Sequence, residues 1–122
     1  LGLRTGLITG RDSPATTRRA REAAMEFVVQ GQAKKLEAYK GILLRAGVTD
    51  EEVAYVGDDL PDLPLLGRAG LAVAVANAVV EVKRAAHYVT TVPGGSGAIR
   101  EVVELILKAQ GKWGKAIPKA IA

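Results

Sequence analysis

Residues 53–66 read VAYVGDDLPDLPLL: an apolar run from Val53 to Val56, then Gly57, then three carboxylates at Asp58, Asp59 and Asp62. An apolar run of this length, bounded by Gly and followed by a helix-like pattern, predicts a central parallel strand over 53–56 that passes into a helix. Pro61 and Pro64 confine that helix to its first turns, because proline lacks the N–H that an interior position donates. The crowded acids admit two readings. Gly, Asp and Pro are ordinary turn residues, so a solvated acidic turn is one. The other is a ligand site. In open α/β sheets ligands bind outside the carboxyl ends of the strands, and a hard divalent cation, held by oxygen and often shared with a phosphate, relieves the repulsion among the acids.

Outward from this stretch, strand and helix signals alternate in both directions. On the N-terminal side, residues 3–9 predict a strand, Ser13 an N-cap with Pro14 at the first helical position, and 14–25 a helix. FVVQ (27–30) predicts a second strand and 35–46 a helix closed by Gly47, with a turn opening at Thr49 or Asp50. On the C-terminal side, LAVAV (71–75) and YVTT (88–91) predict strands around a helix over 79–86. A last helix over 98–110 carries Ile99, Val102, Val103 and Ile106 at helical spacing. The alternation, with no linker or repeat, predicts one α/β domain with a largely parallel sheet.

The bulk numbers narrow the function classes. With 122 residues, 48% of them hydrophobic, the chain has the length and core formers of one domain. It contains no cysteine, which removes disulfides, thiolate metal sites and cysteine nucleophiles and suits a cytoplasmic setting. Its apolar runs are too short to span a bilayer, so no membrane partner is expected. The net charge of +4 favours anionic ligands in general, but aromatics are 4% and no basic stripe is interleaved with them, so nucleic acid is not an expected partner. The chain opens on Leu1 without an initiator methionine, which suggests a fragment.

Polar groups recur where the predicted strands end. LITGR (7–11) places Thr9 and Gly10 before a capped helix, as a plain turn or as a phosphate cradle built on backbone N–H groups. QGQAKK (30–35) ends the second strand with Lys34 and Lys35, either solvated or reaching an anion as a point charge. GGSGAIRE (94–101) enters the last helix and needs no ligand to explain it. Thr9, Lys35 and Asp58 all follow strands, and a parallel sheet gathers such ends on one edge. Arg18, Arg19 and Arg21 read as a solvated helix face, His87 as a packed or hydrogen-bonded structural residue, and Trp113 as part of a tail.

Taken in order, ITGR, QGQAKKLEAY, VAYVGDDLPD, GLAVAVANA, HYVT and GGSGAIREV resemble the capless phosphatases of the haloacid dehalogenase superfamily. Within it they resemble the 3-deoxy-D-manno-octulosonate 8-phosphate (KDO 8-phosphate) phosphatases. The resemblance covers the chain to about residue 112 and implies a Rossmann-like three-layer α/β/α domain over 1–112 with a flexible tail over 113–122. It implies Mg²⁺-dependent hydrolysis of a small anionic sugar-acid phosphate through an aspartyl-phosphate, in lipopolysaccharide sugar biosynthesis, by a cytoplasmic homotetramer. Another nonulosonate phosphate as substrate, or an inactive oligomerisation domain, are the competing expectations.

By the same resemblance Thr9, Lys35 and Asp58 are the catalytic residues. Thr9, Gly10, Arg11 and Lys35 bind the phosphate and substrate, Asp58 binds the metal, and Asp59 and Asp62 support it from behind. Two departures stand out. Relatives open with a strand ending in Asp-x-Asp, the nucleophile and the acid-base, and none precedes Leu7. That strand belongs between those at 3–9 and 53–56, so an upstream segment is expected to supply it. Ser96 stands where close relatives often carry arginine.

Overall fold

A computed structural model of the chain describes residues 4–8, 26–30, 34–94 and 97–111. Thr9, Gly10, Arg11, the helix expected over 14–25, Ser96 and the tail from 112 onward lie outside the described residues. The described strands form two sheets, each wholly parallel. The chain divides into two compact units, Gly2–Val53 and Ala54–Ala122.

In the first unit, strands β1 (Gly6–Ile8) and β2 (Phe27–Val29) pair with Gly6 opposite Phe27 and Ile8 opposite Val29. Helix α1 (Lys35–Ala46) follows over the predicted span. Its end is closed by Gly47, whose N–H reaches the Leu43 carbonyl at 2.9 Å while Val48 N–H reaches the same oxygen at 3.2 Å. This closure needs the left-handed backbone found at Gly47 (φ 69°), which a side chain would strain. Phe27, Ala38 and Tyr39 are buried. The Arg4 and Arg45 guanidinium groups lie 5.2 and 5.4 Å from the Phe27 ring centre. Arg4 also pairs with Glu26 and donates to the Ala46 carbonyl at 2.9 Å, tying the start of β1 to the end of α1. A single 3₁₀ turn over Asp50–Glu52 ends the unit, capped reciprocally by Thr49 and Glu52. Tyr39 Oη donates to Asp50 at 2.8 Å.

In the second unit, β3 (Ala54–Gly57), β4 (Leu71–Ala74) and β5 (Tyr88–Val89) lie side by side in that order. The decisive strand is thus shifted one residue from its expected bounds. Val53 closes the preceding 3₁₀ turn, and Gly57 joins the ladder opposite Ala74. β4 is the middle strand, and residues 72–75 are all buried, the continuous apolar run expected of a strand covered on both faces. The short helices α2 (Leu63–Leu66) and α3 (Val80–Ala85) and the longer α4 (Ala98–Ala109) pack here. Leu66, Ala72, Ala74, Val75, Ala78, Val82 and Ala98 form one core cluster, flanked by Tyr55, Val56 and Leu63. Each fully buried Val or Leu contributes about 1.5–3 kcal/mol. On α4 the buried stripe is Ala98, Val102 and Leu107. Ile99, expected on that stripe, is 56% exposed: the small Ala98 faces the core, which turns its neighbour outward by the roughly 100° of one helical step.

Among the described residues β1 and β3 are each an end strand of their own sheet. No described helix is long and apolar enough to cross a membrane.

Candidate functional site: the acidic loop after β3

The loop is built from β3 outward. Successive strand residues alternate faces, so Tyr55 and Gly57 share one. Gly57 has no side chain to fill its place on that face, and Asp62 occupies the room. A Cβ at Gly57 would stand 2.7 Å from the Asp62 Cβ and 3.1 Å from its Oδ2, inside any tolerable contact. Asp62 ends a 3₁₀ turn over Leu60–Asp62 whose entry residue is Asp59, and Pro61 suits this first turn because its missing N–H would have no partner there.

The three acids therefore have three different settings. Asp62 is 2% exposed. Its Oδ1 accepts the Tyr55 hydroxyl at 2.7 Å, and its Oδ2 accepts the backbone N–H groups of Asp58 at 3.0 Å and Asp59 at 3.2 Å. Part of the repulsion anticipated from the sequence is thus answered by protein donors surrounding a buried carboxylate. Burial, and then the bond to Asp62, push the Tyr55 hydroxyl well above the ordinary tyrosine range, so it remains a donor. The exposed Asp59 turns its carboxylate to its own turn, accepting Leu60 N–H at 2.8 Å. Asp58 is exposed. Its backbone is held on both sides, N–H by Asp62 and carbonyl by Val79 N–H at 3.1 Å. Of the three, Asp58 has the setting of a ligand: a hard oxygen donor at the carboxyl end of β3 on a fixed backbone. This suits a small hard cation that keeps most of its waters. Among the described residues no three of His, Cys, Asp and Glu come together as a metal-holding group, so the rest of such a shell would come from water, substrate or other residues.

The neighbouring strand ends are knitted to the same edge. Thr90, 3% exposed, accepts Ala76 N–H at 3.0 Å and donates to the Val92 carbonyl at 2.6 Å. Asn77 Oδ1 accepts Gly94 N–H at 2.9 Å, which anchors the start of the glycine-rich loop. From the first turn of α4, Glu101 accepts Tyr88 Oη at 2.6 Å, Thr91 N–H on both oxygens, Thr91 Oγ1 and Val92 N–H. The bond from Tyr88, then that from the Thr91 N–H, hold the Glu101 carboxyl below the usual range. His87 has the structural role expected of it: its ring Nδ1 accepts Ala72 N–H at 2.9 Å while its backbone N–H donates to the Ala72 carbonyl at 2.8 Å.

In the first unit the ends of β1 and β2 are adjacent, Ile8 opposite Val29. Thr9 follows Ile8 in sequence, and Lys35 opens α1 after the segment that follows β2. Lys35 is half-buried, whereas Lys34 at the N-cap is exposed. The sequence reading missed Tyr55, Thr90, Asn77 and Glu101. Only Tyr55 had a signal, its two-residue spacing from Gly57.

A family model described as haloacid dehalogenase-like hydrolase matches residues 10–101. A 3-deoxy-D-manno-octulosonate 8-phosphate phosphatase of Yersinia pestis is 46% identical over 106 residues, 87% of this chain and 57% of that protein. Its Escherichia coli K12 counterpart is 41% identical over 119 residues, 98% of this chain and 63% of that protein. This chain therefore spans about three fifths of the length of these curated relatives. The crystal structure of a phosphatase of the same name from Moraxella catarrhalis, in complex with magnesium ion, phosphate ion and KDO, aligns with a TM-score of 0.92 at 42% identity. That alignment covers 97% of this chain and 68% of the other.

Proposed function

The chain belongs to the haloacid dehalogenase-like hydrolases, and from that premise we propose that it serves the hydrolysis of KDO 8-phosphate to KDO and inorganic phosphate. The observation that carries this reading is the exposed Asp58 at the carboxyl end of β3, within a chain more than 40% identical to phosphatases of that name. The overall step moves a phosphoryl group from the sugar oxygen to an aspartate carboxylate, with a proton delivered to the departing oxygen, and water then cleaves the acyl phosphate. The Asp-x-Asp motif to which the resemblance assigns that aspartate does not occur among these 122 residues.

A magnesium ion bound at Asp58 would supply charge neutralisation for the transferring phosphoryl group. Asp58 presents the carboxylate. Asp62 fixes the Asp58 backbone, and Asp59 shapes the turn between them. Lys35, at the start of α1, offsets the negative charge of nucleophile and phosphate, while Thr9, Gly10 and Arg11 hold phosphoryl and substrate oxygens. The assembly is a homotetramer in the cytoplasm, as the resemblance implies, and the absence of cysteine accords with that compartment. Residues 1–112 make the catalytic domain and 113–122 its tail.

The test is phosphate release from KDO 8-phosphate by the intact protein with Mg²⁺, beside a nine-carbon sialic-acid-type 9-phosphate, with light scattering for the assembly. Asp58→Asn is expected to abolish release while leaving the unfolding midpoint unchanged, since the exposed carboxylate contributes little packing. Unchanged release in that variant would sink the assignment. Preference for the nine-carbon substrate would redirect it.

A further inference from the structure

We propose that the Tyr55 hydroxyl is a positioning group for the acidic loop: acting through Asp62, it fixes the backbone of Asp58 and so sets the affinity of the site for a divalent cation. This rests on the reading of Asp58 as the metal-binding residue.

The two oxygens of Asp62 are divided between two tasks. Oδ2 holds the N–H groups of Asp58 and Asp59, at 3.0 and 3.2 Å, and Oδ1 takes the Tyr55 hydroxyl at 2.7 Å. A carboxylate rotates about its terminal bond over a broad, shallow range, so two backbone donors on one oxygen leave its plane poorly defined. A third donor on the other oxygen, delivered from a rigid strand, defines it. The setting raises the stakes. Asp62 is 2% exposed, so water does not readily take the place of a lost donor. Gly57 completes the device by leaving space for the carboxylate beside the strand. The Asp58 carbonyl keeps its separate bond from Val79 N–H, so loss of the tyrosine hydroxyl re-aims the loop without unravelling it.

The experiment titrates Mn²⁺ into the intact protein without substrate, following binding by calorimetry and by the electron paramagnetic resonance of the free ion. Tyr55→Phe is expected to weaken Mn²⁺ binding about tenfold, the lower end for partners that act behind a ligand. Phosphate release at saturating Mg²⁺ is expected to stay close to the parent's, with the concentration for half-maximal rate raised. Asp62→Asn, which offers Tyr55 and the backbone one acceptor in place of two, is expected to weaken binding in the same direction. Val82→Ala, a loss from the buried core, controls for general destabilisation and is expected to leave Mn²⁺ affinity unchanged. Parent-like affinity in Tyr55→Phe or in Asp62→Asn overturns the inference, as does an equal loss in Val82→Ala. Retained binding in Asp58→Asn overturns instead the reading of the site on which the inference depends.

Discussion

Glu101 receives the Thr91 backbone N–H on both carboxylate oxygens, each at 2.9 Å, and the Thr91 hydroxyl on one of them at 2.8 Å. With Tyr88 and Val92 also donating, one side chain in the first turn of α4 clasps the end of β5. A carboxyl group held below its unfolded value stabilises the fold above that unfolded value, and the contribution is lost as pH falls through the folded one. Glu26, held low first by its hydrogen bond from Arg4, acts in the same sense in the other unit. The unfolding midpoint is therefore expected to drop on the acid side of the ordinary carboxylate range. Glu101→Gln should have a lower midpoint at neutral pH and a shallower acid limb, read by thermal melts across pH. An acid limb as steep as the parent's would show that the clasp is not the titrating element.

Gly57→Ala places a methyl group 2.7 Å from the Asp62 Cβ and 3.1 Å from its Cγ and Oδ2. Overpacking of this kind costs about 1–3 kcal/mol. Metal affinity should fall along with stability, because relieving the contact with the Asp62 Cβ shifts the Oδ2 that holds Asp58 N–H. Urea unfolding beside a Mn²⁺ titration measures both. A destabilised variant with unchanged affinity would separate the packing of this loop from its function.

Lys35→Ala is expected to cost phosphate release far more than Lys34→Ala. The two are adjacent at the start of α1, and one helical step turns a side chain by about 100°, so only one can serve a given anion. Steady-state kinetics on the two variants decides. Equal losses would mean that bulk positive charge, not a placed ammonium, is what matters.

The sequence alone gave the helix over 35–46 correctly, because its end carries Gly47, and gave the strand at β4, because LAVAV is apolar throughout. The shortness of the helices after Asp62 was equally readable from Pro61 and Pro64. The buried face of α4 was misjudged at Ile99, since spacing identifies a stripe but not which neighbouring stripe the small Ala98 lets approach the core. The acids at 58, 59 and 62 were visible as a group, yet their separate settings depend on one tyrosine hydroxyl and one absent side chain, contacts that leave no periodic mark. Glu101 escaped for a similar reason: an acid in the first turn of a helix is so ordinary that nothing marks this one as holding another strand.

The parallel ladders of the second unit also bear on how the chain acquires its shape during synthesis. Ala54 pairs with Leu71 and Val73 with Tyr88, separations of only 17 and 15 residues, each crossed by little more than one short helix. Parallel pairing usually waits on distant sequence, but the entropy of closing loops this short is modest. At ordinary elongation rates the stretch from Ala54 to Val89 leaves the ribosome within about 2–7 s. Such short separations leave little loop-closure entropy between each strand of this sheet and its partner, and the loop bearing Asp58 lies within the first of them.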